Sequence, residues 1–190
     1  MLCDPLPNFD NSPVLAEASV EQGRLVLLYL TADKDLPFVI KLLKKEYSPG
    51  GDLNTTLDGF KEMFSSFAGS SKSQAFIVWL GDLPLFEIEI HNAQMHFPDR
   101  PDFTPDEKDY YLQLLGGDFD QAEFQLYVRG LQLCLEYFWK FLGVQRILAQ
   151  VSRSPHAEQH ASLFKEVGMT MPLGITNPGQ PDLFIISRTT

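Results

Sequence analysis

The chain has 190 residues, 44% of them hydrophobic and 12% aromatic, with a formal net charge of −10. That length and composition describe one globular domain with a real core, and exclude a disordered chain or two comfortable domains. The acidic balance argues against a nucleic-acid partner, which needs a basic footprint; it would welcome a cationic small molecule, but plain solubility is the simpler reading.

Residues 1 to 22 carry three prolines and little periodicity, which predicts an extended N-terminal arm or surface loop, dispensable to the fold, ahead of a single domain over 23–190. Arg24 to Leu30 is an apolar run of strand length. Leu36, Val39, Ile40 and Leu43 recur at helical spacing, with Asp33 or Asp35 to cap the helix and Pro49-Gly50-Gly51 to end it. A second helix is predicted over 54–69, with Leu57, Phe60, Phe64 and Phe67 on one stripe. Then come a strand over 73–80, a Gly81-Asp82 turn and its hairpin partner over 83–94. A proline-rich loop leads to the strand Asp109–Leu115. A long helix over about 120–142 follows, apolar on most faces, then a strand over 144–151, a helix from His156 stopping at Gly168, and two closing strands. Consecutive antiparallel strands around one β-α-β unit predict an α/β fold with a mixed sheet and helices on both faces. The strands at 109–115 and 144–151 should be parallel.

Cys3 and Cys134 suggest neither a disulfide framework nor a zinc knuckle. The start of the chain has no basic segment followed by a long apolar one, and no run approaches the roughly 20 apolar residues of a membrane span, so a cytoplasmic protein is expected.

Three stretches carry potential chemistry. On "LFEIEIH" the strand alternation sends Glu87, Glu89 and His91 to one face. Two carboxylates and an imidazole there could bind an ammonium or move a proton, although a half-solvated sheet face explains the pattern without function. "HAEQH" puts His156 and His160 one helical turn apart, but Glu158 sits at the wrong offset for the zinc-protease signature. Solvated histidines near a helix start are the simpler reading, with no metal. "YYLQLLGGDFDQAEFQLYVRG" joins a strand to a helix start, a place where free amides attract anions, yet Asp118, Asp120 and Glu123 would repel a phosphate there.

From about Arg24 to Arg188 the chain resembles the GNAT superfamily of N-acetyltransferases, and more narrowly its siderophore-biosynthesis acyltransferase branch. The hairpin "VWLGDLPLFEIEIHNAQ" is similar to that branch's strand pair, with its short Gly-Asp turn and acidic, aromatic strand. Phe164 to Met169 ("FKEVGM") stands where the superfamily has the end of the helix after its penultimate core strand. The departures fall on functional positions. Gln121 to Leu126 ("QAEFQL") has no glycine where the superfamily's pyrophosphate loop has them, and Gln113 stands where the siderophore branch has a histidine.

The resemblance implies the acyl-CoA N-acyltransferase (GNAT) fold and transfer of an acyl group from acetyl-CoA or another acyl-CoA to a small-molecule amine. Charge and the lack of a long apolar run add the expectation of no nucleic acid and no membrane, and a homodimer is one assembly open to the chain. Glu89 and His91 are the candidate bases, and Ser154 or Tyr127 the group that protonates the leaving thiolate. Gln113, Leu114, Leu115, Gln121, Phe124 and Gln125 are the candidate cofactor contacts. On this reading Glu89 and His91 share a face with Gln113, and Gln113 or a bound amine would satisfy the Glu89 carboxylate. Because the glycines are missing, the rival expectation is a non-catalytic binding or interaction module of the same fold that has lost acyl-CoA binding.

Overall fold

The computed structural model describes residues 13–46, 59, 62, 70, 72–97, 103–116, 119–151, 156–172 and 182–188. Seven strands form one sheet in sequence order: β1 (Ala16–Val20), β2 (Gly23–Tyr29), β3 (Ser73–Leu80), β4 (Leu83–Asn92), β5 (Asp109–Leu115), β6 (Arg146–Gln150) and β7 (Leu183–Ser187). Every neighbouring pair is antiparallel except β5 and β6, which are parallel. The helices are α1 (Ala32–Glu46), the single turn α2 (Ala93–His96), α3 (Phe124–Phe141) and α4 (Ala157–Glu166). Among the described residues no helix is long and apolar enough to cross a membrane.

The alternation of each strand assigns its residues to two cores. Phe76 and Val78 of β3, Phe86, Ile88 and Ile90 of β4, and Leu112 and Leu114 of β5 meet Leu131, Cys134 and Phe138 of α3 and Leu163 and Phe164 of α4. On the opposite face Ala75 and Leu115 meet Leu36, Val39 and Leu42 of α1. Covered on both faces, β4 is buried without a break from Leu85 to Ile90.

One local outcome differs from the sequence expectation and a second refines it. β1 lies inside the stretch expected to be an arm or loop. It pairs with β2 from Ala16↔Leu27 to Val20↔Gly23, and Ala16, Ala18 and Val20 pack on the main core. Its apolar residues are small, so alternation alone gives a faint signal. At α1, the Asp35 carboxylate reaches back to accept from the Thr31 amide (2.7 Å) and hydroxyl (2.9 Å), so Thr31 and Asp35 together close the helix start. The helix predicted over 54–69 and the closing strand predicted after Gly168 fall largely outside the described residues, although Thr170 makes an isolated bridge to Ile185.

α3 approaches the sheet most closely at Gly130. A Cβ there would lie 2.9 Å from Phe86 Cε1, 3.0 Å from Phe86 Cζ and 3.3 Å from Val78 Cγ1. Phe86 is fully buried, so its ring has nowhere to swing. Alanine would gain about 1 kcal/mol of helix propensity but overpack the core at a cost of about 1–3 kcal/mol. Gly130→Ala should therefore lower stability in urea unfolding, by up to about 2 kcal/mol; an increase would show that the contact is slack.

Candidate active site

The acidic face of β4 is not half-solvated. Glu87 is 0% exposed and Glu89 6%, because their cross-strand neighbours Leu115 and Ala75 pack under α1. The alternation places the acids on this face, and α1 buries it. Glu89 Oε2 lies 2.9 Å from His91 Nε2, and His91 Nδ1 lies 3.0 Å from Ser73 Oγ. Ser73 is directly opposite His91 in the β3–β4 pairing. The serine was not among the expected residues: nothing in the sequence joins positions 73 and 91 except the hairpin register.

Gln113 is directly opposite Glu89 on β5, on the expected face. The expected bond between them is replaced: His91 holds the Glu89 carboxylate, and no hydrogen bond joins it to Gln113 among the described residues.

Glu87 lies between Ile77 and Leu115 in the register, and both its carboxylate oxygens lack a hydrogen-bond partner. Burial, and secondly the neighbouring Glu89, push its carboxyl well above the usual range, so it is held as the neutral acid.

The second half of the site begins where β5 leaves β6. Their pairing runs from Asp109↔Arg146 to Leu112↔Ala149, while β5, still paired with β4 on its other edge, continues without β6 through Gln113, Leu114 and Leu115. The strand turns at Gly116 with φ 104°, where a Cβ would meet Leu42 Cδ2 at 3.3 Å and Phe86 Cβ at 3.4 Å, so both backbone and space require glycine. Ahead of α3, Asp120 Oδ1 accepts from the amides of Ala122 (2.8 Å) and Glu123 (3.0 Å), and Glu123 Oε2 accepts in return from the Asp120 amide (3.3 Å). This is a capping box. Three of the amides at this turn are thus taken by the chain's own carboxylates.

A cleft of about 700 Å³ opens between this turn and α4. It is lined by Phe119, Gln121 and Phe124, and its charged lining is Asp120, Glu158 and Glu166 against Lys165 alone. Two α4 side chains tie down its floor: Gln159 Nε2 donates to Phe119 O (3.2 Å) and His160 Nε2 to Gly116 O (3.1 Å). His160 is 3% exposed, which corrects its reading as a solvated histidine. His156 sits at the start of α4, with Nδ1 3.0 Å from Gln159 Oε1. Among the described residues no group of three or more metal-ligating side chains converges.

The other candidates disperse. Leu114 packs in the α3 core and Leu115 under α1, so only their backbone could meet a ligand. Gln125 is exposed outside the cleft lining. The Tyr127 hydroxyl donates to Leu85 O (3.2 Å), inside the α3 core and on the opposite sheet face from Glu89. Ser154 lies outside the described residues. The unpaired stretch of β5 fits an extended amide chain such as pantetheine, which needs only backbone bonds. The α3 turn fits a diphosphate poorly, since its amides are engaged and carboxylates surround it.

The buried acid has a measurable consequence. The folded protein keeps the Glu87 proton, whereas the unfolded chain releases it once pH exceeds the ordinary value of 4.5. The folded state thus loses stability through this group as pH rises from there toward the raised value. Glu87→Gln should match the wild type near pH 4 and melt at a higher temperature near pH 8; a thermal melt series with no such divergence would show that Glu87 ionises freely.

No family model and no curated protein matches the sequence. Solved structures do match. An uncharacterized protein from Bacillus halodurans shares 18% identity with a TM-score of 0.68, over 92% of each chain. Mycobacterium smegmatis RimJ in complex with CoA-disulfide shares 12% identity with a TM-score of 0.66, over 96% of this chain and 90% of that one. The aminoglycoside acetyltransferase AAC(6')-Ib in complex with coenzyme A shares 16% identity with a TM-score of 0.63, over 86% and 95%. The chain therefore has the acyl-CoA N-acyltransferase (GNAT) fold, a mixed, mostly antiparallel sheet with helices on both faces.

Proposed function

We propose that this protein is an acyl-CoA-dependent N-acyltransferase acting on a small amine. The observation that supports it most is the buried Glu89 carboxylate, held by His91 and set opposite Gln113 where β5 prepares to part from β6. An acid placed there without a function would cost folding free energy. With Oε2 engaged, Oε1 takes the proton of the amine as its nitrogen attacks the thioester carbonyl and the thiolate leaves. A backbone amide near Leu114 on the unpaired part of β5 polarises that carbonyl. The acidic surroundings draw a cationic acceptor toward this floor. The narrower siderophore-branch reading, a hydroxylysine-type acceptor, rests on the acidic hairpin strand.

A second reading has its own observation. The Asp120 cap and the acidic cleft disfavour the polyphosphate end of acyl-CoA, as expected of a binding module that no longer uses it. Two measurements separate the readings. Calorimetric titration should give a CoA dissociation constant weaker than about 10 μM, less than about 7 kcal/mol. Asp120→Ser, which keeps a cap but removes the charge, should tighten CoA binding about two- to fivefold. With any amine that is acetylated, Glu89→Gln should lower kcat by at least about 100-fold at unchanged melting temperature. Intact turnover in Glu89→Gln would remove Glu89 as the base, and absence of both CoA binding and turnover would favour the binding module.

A further inference from the structure

The hairpin carries a three-membered array in which each group determines the next. A carboxylate only accepts hydrogen bonds, so the ring nitrogen facing Glu89 Oε2 carries hydrogen. In the neutral imidazole the other nitrogen, Nδ1, is then an acceptor, and the group 3.0 Å from it is the Ser73 hydroxyl, which can turn its hydrogen toward the ring. From the serine to the carboxylate, every hydrogen points toward Glu89.

We infer that Ser73 is a positioning residue of this site: its hydroxyl donates to Nδ1 and, together with Glu89 on Nε2, holds the His91 ring in the Nε2–H form, so that His91 holds one oxygen of Glu89 and leaves the other to take the substrate proton. The inference rests on Glu89 being the base of the proposed acyl transfer. Ser73 acts through His91 and touches no reacting atom. It is not placed as a nucleophile. Its own amide (3.1 Å) and that of Lys72 (3.2 Å), the donors nearest to hand for an oxyanion, both point at Ser70 Oγ. Without Ser73, a flip of the imidazole or a change of tautomer would present a bare nitrogen to Glu89, and two acceptors would face each other.

The ring itself is held on another side by Tyr111 and His96, whose rings stack on each other at 3.6 Å and lie 6.3 Å from His91. Stacking constrains the plane of a ring but does not distinguish its two nitrogens. That choice falls to Ser73 and Glu89.

Long-range proton–nitrogen NMR on the full, ¹⁵N-labelled chain tests this directly, with the His91 signals identified by their loss in His91→Gln. The wild type and Ser73→Thr, which keeps a hydroxyl, should show a single Nε2–H form. Ser73→Ala, with unchanged far-ultraviolet circular dichroism, should show a mixed or altered one. A wild-type Nδ1–H form, or a Ser73→Ala spectrum identical to wild type, would overturn the inference. For any amine the protein acetylates, Ser73→Ala should lower kcat about tenfold with KM within about twofold, and Ser73→Thr should restore it. Unaltered kcat in Ser73→Ala would also overturn it. If no amine is acetylated, the acyltransferase reading fails and takes the kinetic role of Ser73 with it, while the NMR result still decides whether Ser73 sets the state of His91.

Discussion

The structure depends on how one parallel strand pair is fastened. Asp109 and Arg146 open β5 and β6 and are partners in the register. The Arg146 guanidinium reaches Asp109 Oδ1 at 2.8 Å and Oδ2 at 2.5 Å, with Asp106 as a third contact at 3.0 Å. Asp109 is 1% exposed, so removing Arg146 would strand a buried charge. Fastened at this end, the strands are free to part at the other, and they part after Leu112 and Ala149. The unpaired end of β5, the Gly116 turn, the start of α3 and the tie from α4 are all arranged around that opening.

Both ends of the opening are acidic, and they bear differently on the two parts of a ligand. On the α1 face it borders Glu89, held by a histidine, and Glu87, held neutral by burial. That floor suits an amine, which supplies hydrogen-bond donors and positive charge to groups short of both. On the α3–α4 side the helix-start amides are bonded to Asp120, and the surrounding carboxylates outnumber the lone Lys165. A chain of backbone amides could still lie along β5, since sheet-type bonding makes no demand on side-chain charge. In the proposed acyl transfer, this charge distribution favours the amine over the polyphosphate end of acyl-CoA.

The legible parts of the molecule were those whose signal is local. The α3 stripe from Phe124 to Leu142, the hairpin around Gly81 and Asp82, and the parallel pair joined by a long helix all follow from periodicity and turn residues. So does the common face of Glu87, Glu89, His91 and Gln113, because the period of two survives any tertiary context. What was not legible depends on distant parts of the chain. Burial of the acids is conferred by α1 and cannot be read from "FEIEIH" itself. Ser73 joins His91 only through a register spanning 18 residues. His160 looks like a surface residue in "HAEQH" until the carbonyl of Gly116, 44 residues earlier, is brought to its ring. Asp120 was visible as a first-turn acid, but not as the group that uses up the amides an anion would require.

The surroundings of His91 bear on whether this is a site or merely a satisfied core. A second histidine is stacked nearby, and two imidazolium ions that close would repel. His96 avoids this: burial of its ring and, secondly, the His91 charge lower its pKa to about 4, so it is neutral in ordinary buffers. His96 covers Tyr111 with its ring planes 11° apart, and Phe97 meets both rings edge-on. Among the described residues, an uncharged aromatic stack flanks His91 on this side, and the Glu89 carboxylate is a charged partner. A purely structural pairing would need no such asymmetry, since apolar residues of similar volume would pack the same space at lower desolvation cost. In the proposed reaction, this carboxylate, held on one oxygen beside a neutral stack, is the group that takes the proton of the amine.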